Sequence, residues 1–166
     1  MVPSAPVPVD PRLHAWSVVV GVYQSVLHDV VHALEGEGGL DSGVFSALAY
    51  LARAEPSGRL RLSELHELMH PRYSQPGMSR LVQRMEADGL VERRADPGDG
   101  RASVVVMTRA GRARFRRADR VYAAALRDHF GQHLSTAEAY AIEAALEPVI
   151  RGRAVRGARS RTVRPA

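Results

Sequence analysis

The chain has 166 residues, 45% of them hydrophobic, which suits one compact domain with a real core. It contains no cysteine, which excludes disulfides, thiolate metal sites and thiol-based oxidant sensing. The net charge of +5 suggests a polyanionic partner, but residues 151–166 are rich in arginine and hold no acid, so the rest of the chain is close to neutral. An anion-binding surface in that body must come from local segregation of charge. Every basic residue is arginine, a side chain suited to bidentate phosphate and base contacts.

No apolar run approaches the roughly 20 residues needed to span a bilayer, and MVPSAPVPVD lacks the basic and apolar regions of a signal peptide. The expectation is a cytoplasmic protein with no membrane association. Residues 1–11 carry repeated prolines among small residues and predict an extended, disordered arm. From Arg12 to Leu34, Leu13, Trp16, Val19, Val20, Tyr23, Leu27, Val30, Val31 and Leu34 recur at helical spacing. That stripe is broad enough to need more than one neighbour, as at a dimer interface.

After Asp41 and Ser42, either of which can cap, Val44, Phe45, Leu48 and Leu51 predict a second helix. A third begins at Ser63 and is stopped by Pro71. The fourth, SQPGMSRLVQRMEADGL, has Ser74 as cap, Pro76 in its first turn and Gly89 as stop. Two β-prone runs, 90–94 and 103–107, flank the turn-forming ADPGDGRA and predict a hairpin. Thr108 then caps a long helix to about Phe130, and Ser135 with Glu138 makes a capping box for a last helix ending at Val149 or Ile150. Residues 151–166 read as a disordered arginine tail. The order α-α-α-α-β-β-α-α is mainly α (α+β).

Two short helices joined by a tight turn and followed by a hairpin form a winged helix-turn-helix, whose second helix is placed to enter a major groove. In that helix Met78, Leu81, Val82 and Met85 form the buried stripe, and Gln75, Ser79, Arg80, Gln83 and Arg84 lie on the other side. This polar side offers donors and acceptors for bases or phosphate, Ser74 and Gln75 open the helix N-terminus, and Gly77 permits close backbone approach. The plain alternative is a solvated helix face. In the hairpin, Arg101 is suited to a narrow minor groove, with Asp99 positioned to hold its guanidinium; an exposed turn with a surface ion pair is the bland reading.

The runs LSELHELM, SQPGMSRLVQRMEADGLVERR and DPGDGRASVVVMTRAG resemble the MarR (multiple antibiotic resistance regulator) family, most specifically through Asp99, Arg101, Thr108 and Gly111. The family's frequent second basic residue at the wing tip is Gly100 in this chain. The resemblance implies a DNA-binding domain over 40–112, and a homodimer whose helical dimerisation region comprises 12–34 and 113–150. It also implies double-stranded DNA bearing a pseudo-palindromic operator as partner, a transcriptional repressor role, and release by a small aromatic effector in a pocket near Trp16, Tyr23 and Tyr50. Aromatics at helical spacing also serve as ordinary core.

Histidines stand four apart at 28/32, 66/70 and 129/133, yet a metal site needs three or four converging ligands, so they read as polar or interface residues with no metal or other cofactor. No phosphate-binding glycine loop, G-x-S-x-G or paired-carboxylate arrangement stands out, so an enzyme is not expected. The rival reading is a winged helix used only for protein contacts, which has no need of Arg80, Arg84 and Arg101 on one side.

Overall fold

In a computed structural model the chain is described over residues 10–54, 58–96 and 98–162, with side chains at 100, 101 and 152–162 outside the description. It divides into two units, residues 1–126 and 127–166. Helix α1 (Pro11–Gly36) starts where Asp10 accepts the Arg12 N–H at 2.9 Å and Pro11 supplies the preset φ of a first turn. The rest of the expected N-terminal arm lies outside the described residues. Of the broad apolar stripe only Val30 and Leu34 are buried, whereas Leu13, Trp16 and Tyr23 each remain more than 60% exposed. At 26 residues α1 is long and apolar enough to cross a membrane, contrary to the expectation that no such run exists. Its C-terminal part is instead built into the unit, with Leu34 in the hydrophobic core.

Helix α2 (Ser42–Arg53) is the central core element. Asp41 caps it by accepting the Val44 N–H at 2.8 Å, and Val44, Phe45, Ala47, Leu48 and Leu51 are all buried. Phe45 meets Phe115 and Tyr122 with ring centroids 5.5 and 4.8 Å apart. A short strand β1 (Arg59–Arg61) follows, which the sequence reading did not anticipate, and α3 (Leu62–Met69) begins directly after it. The Arg61 N–H donates to the Glu64 carboxylate at 2.7 Å and holds the first turn of α3. Helix α4 (Gln75–Ala87) is capped by Ser74, which accepts the Gly77 N–H at 3.3 Å, and ends at Gly89 with φ +68°.

Strands β2 (Val91–Asp96) and β3 (Asp99–Met107) are longer than the two runs expected from composition. They extend into the segment read as turn, and Asp96 pairs with Asp99 after a register shift at Ala95/Asp96. The carboxylate of Asp96 accepts the Gly98 N–H at 2.8 Å, a local bond at the reversal of the expected hairpin. Strand β1 pairs antiparallel with β3, giving a three-stranded sheet of order β1-β3-β2. Its inner residues Val91, Val105 and Met107 join the core with Leu65, Met78, Val82 and Met85.

Helix α5 (Arg109–His129) is joined to the hairpin by Thr108, whose hydroxyl accepts the Gly111 N–H at 2.9 Å and donates to the Gly89 carbonyl at 2.7 Å. An added Cβ at Gly111 would lie 2.0 Å from the Leu90 carbonyl oxygen, so only glycine admits this approach of α5 to the residue that leads into β2. The T-x-x-G spacing thus has a packing reason.

In the second unit a short 3₁₀ turn (Gly131–His133) precedes α6 (Thr136–Thr162). The expected capping box is present: Ser135 donates both its N–H and hydroxyl to Glu138, at 2.8 and 2.7 Å. Beyond that point the outcome differs from expectation. The helix passes Pro148 and runs to Thr162, so most of the segment read as a disordered tail is helical, and the last four residues lie outside the description. Proline forfeits one backbone bond, and the arginines after it favour helix, although Gly152 and Gly157 do not. Tyr140, Val149 and Ile150 on α6 are exposed.

Candidate functional site

The buried stripe of α4, comprising Met78, Leu81, Val82 and Met85, fixes the orientation of everything else on that helix. Arg80 and Gln83 are exposed opposite it, at the centre of the outward face by helical spacing. The remaining residues singled out on the helix divide between two flanks. Gln75 and Ser79 border a hollow of about 360 Å³ shared with Ser63 and His66 of α3 and Asp99 of the hairpin. Ser74, Gly77, Arg80 and Arg84 border another of about 540 Å³, shared with Asp41, Arg72 and Tyr73. Gly77 is half-buried, and an added Cβ would stand 3.3 Å from the Ser74 hydroxyl, so its smallness already serves the cap.

Three consecutive residues at the start of α2 clip this second flank in place. Asp41 accepts from Arg84 at 2.8 Å, and the Ser42 hydroxyl accepts from Arg72 at 2.7 Å. Gly43 receives the Tyr73 hydroxyl so closely that an added Cβ would lie 2.0 Å from it. The backbone carbonyl of Tyr73 is 3.0 Å from His66 Nε2, which must carry the proton because a carbonyl only accepts. The turn between α3 and α4 is therefore held from α2 and from α3. Sequence reasoning missed Arg72 altogether and saw Asp41 only as a cap. Arg72 sits in a connection two residues before the Ser74 cap, a position suited to anion contact, whereas nothing in the sequence pairs Asp41 with a residue 43 positions away.

In the hairpin, Arg101 is the third residue of β3, not part of an open tip. The anticipated pairing of Asp99 with Arg101 falls on a side chain outside the described residues. Asp96 instead carries a described ion pair of the wing, with Arg61 of β1 at 2.6 Å. Its carboxyl is held below the ordinary value of 3.8, first by the Gly98 N–H and then by Arg61 against a desolvation cost. Glu92 pairs with Arg94 at 2.7 Å farther along β2.

The aromatic trio expected to line a pocket is not brought together. Trp16 projects from α1 at 64% exposure, and Tyr50 packs against the core. Only Tyr23 borders a groove, of about 510 Å³, whose walls include Leu27, Val30, Phe45, Tyr122 and Arg72. Positions 16 and 23 are both on α1, about two turns apart, and Trp16 is not among the residues that line this groove. Among the described residues no group of three or more His, Asp or Glu side chains converges as a metal site would require.

A helix clipped into a three-helix head, followed by a three-stranded wing and a long helix leaving it, is shared with proteins of known structure. Residues 38–102 match the model of the MarR family. Over that segment the chain is similar to the MarR family. The likeness extends past the matched segment: AbsC, a MarR family transcriptional regulator from Streptomyces coelicolor, is 26% identical with a TM-score of 0.76, over 92% of this chain and 99% of that one. Sco3205, a MarR family transcriptional regulator of the same organism solved in complex with DNA, is 22% identical (TM-score 0.73; 84% and 89% covered). A mutant MarR from E. coli, solved in complex with operator DNA, is 18% identical (TM-score 0.64; 79% and 92% covered). These last two share the fold. No curated protein matches the sequence. Within this MarR-type head, Gln75 and Ser79 of α4 and Asp99 of the hairpin border one hollow, so the helix and the wing stand side by side.

Proposed function

We propose that the chain is a sequence-specific DNA-binding transcriptional regulator, a cytoplasmic homodimer that represses from a pseudo-palindromic operator. The observation that carries this reading is the outward face of α4. Arg80 and Gln83 stand exposed and opposite the core stripe, with their polar groups turned to solvent. In this reading Arg80, Gln83, Gln75 and Ser79 face base edges, while Ser74, the backbone at Gly77 and Arg84 meet phosphate. Arg101, with Asp99 close by in sequence, serves the neighbouring minor groove or backbone from the wing.

The dimer is supported by apolar surface that a monomer leaves in water. Leu13, Trp16 and Tyr23 on α1, and Tyr140, Val149 and Ile150 on α6, are all at least 60% exposed. A second copy of the chain is the simplest cover for both helices. The groove beside Tyr23 and Tyr122 is the candidate seat for an apolar or aromatic effector, which would act by shifting the spacing of two reading heads.

Selection of bound duplexes from a random DNA pool at near-physiological salt tests the central claim. The expected product is an inverted repeat with half-sites about one helical turn apart. An unenriched pool, with binding that vanishes on adding salt, would overturn specific regulation and leave the winged helix as a protein-contact module.

A further inference from the structure

The ion pair between Asp41 and Arg84 is poorly explained by stability. Its side chains are 48% and 55% exposed, and pairs in that setting contribute little to folding. Its geometry is better defined than its energy. One carboxylate oxygen of Asp41 is fixed by the Val44 N–H at the start of α2, and the other holds Nη2 of Arg84. The carboxylate is thus bound to the backbone of one helix, and the guanidinium of the next is located by it. Arg84 keeps its other N–H groups for a further acceptor, because guanidinium has five donors and the described contact uses one. Beside it, Arg72 is anchored in the same way on the Ser42 hydroxyl, and both arginines border the hollow that ends at the Ser74 cap.

Resting on the DNA-binding reading, we infer that Asp41 is a positioning residue: it holds Arg84 along the flank of α4 as a contact for a backbone phosphate and keeps it out of base reading. A free arginine at position 84 has a long flexible stem and loses that freedom on binding, whereas one already held loses less. The acid therefore aids DNA binding although it bears the same sign of charge as the phosphate.

A double-mutant cycle tests this on the wild-type chain, Asp41→Asn, Arg84→Ala and the double variant, with the selected operator and a mixed-sequence duplex as probes. Asparagine also caps helices well, so Asp41→Asn is expected to preserve α2, with circular dichroism and a thermal melt as the check. Arg84→Ala is expected to weaken both duplexes alike by about ten-fold or more and, because the dimer loses two such contacts, to reduce the salt slope by about 1.8. Asp41→Asn is expected to weaken binding despite removing a negative charge, and in its background Arg84→Ala should cost less than about three-fold.

If Asp41→Asn instead strengthens binding equally with and without Arg84, the carboxylate is only a repulsive charge and the inference is overturned. Loss confined to the operator after Arg84→Ala makes Arg84 a base reader, which also overturns it. Wild-type protein that binds neither duplex overturns the DNA-binding reading itself, a result distinct from either of these.

Discussion

Gly111 shows how one position links packing to motif. Its missing Cβ lets the Leu90 carbonyl approach to a distance no side chain permits, and the Thr108 hydroxyl ties the same junction to Gly89 and to the first turn of α5. Gly111→Ala is therefore expected to destabilise the fold by about 2 kcal/mol or more, because the clashing atom is backbone and cannot rotate away. A urea melt with a midpoint equal to that of the wild type would contradict this account. At the other extreme, Arg80 is exposed and makes no ion pair among the described residues, so Arg80→Ala should leave the melt unchanged. If it reads a base, the variant loses about 1–3 kcal/mol of discrimination between operator and mixed duplex. An equal loss on both duplexes would make it a phosphate contact.

At the scale of elements, the wing is the clearest case of local and non-local bonds acting together. Asp96 closes the hairpin through the Gly98 N–H and joins it to β1 through Arg61. Both bonds favour the ionised carboxyl, so its pKa in the fold lies below 3.8, and the contribution is present above that value and lost as pH falls through the lowered one. The Gly98 amide proton shift should report a titration with its midpoint below 3.8 in the wild type and none from this group in Asp96→Asn. A midpoint at or above 3.8 would show that the contact does not favour the anion. Helix α4 makes the complementary point: its 3.6-residue stripe was legible because burial on one side leaves an unmixed polar side on the other. Strand β1 was not legible, since so short a run carries too little periodicity and its pairing partner, β3, lies far along the chain.

For the whole molecule, the exposed apolar surface of α1 makes the strongest demand. Trp16→Glu places a charge in the proposed dimer contact without touching the core of the first unit, where Trp16 has no part. The expected outcome is a folded monomer by light scattering, with operator affinity reduced because one head replaces two. A dimer of unchanged stability would move the contact elsewhere. Monomerisation should leave the thermal signature of the first unit in place, since Leu48, Leu51, Leu65 and Val82 are fully buried within one chain.

Sequence alone determined the order of helices, the caps at Ser74, Thr108 and Ser135, and the polar face of α4, and it narrowed the cap of α2 to Asp41 or Ser42. These features rest on local hydrogen bonds and on periodicities of a few residues, which any reading of neighbours can recover. Tertiary structure decided which of those residues meet. It joined Arg84 to Asp41 and Arg72 to Ser42, brought β1 to the sheet, and separated Trp16 and Tyr50 from the groove beside Tyr23. The physical reason is common to all four: each depends on the packing of elements far apart in sequence. Local propensity carries no record of the direction in which a helix will be pressed against its neighbour.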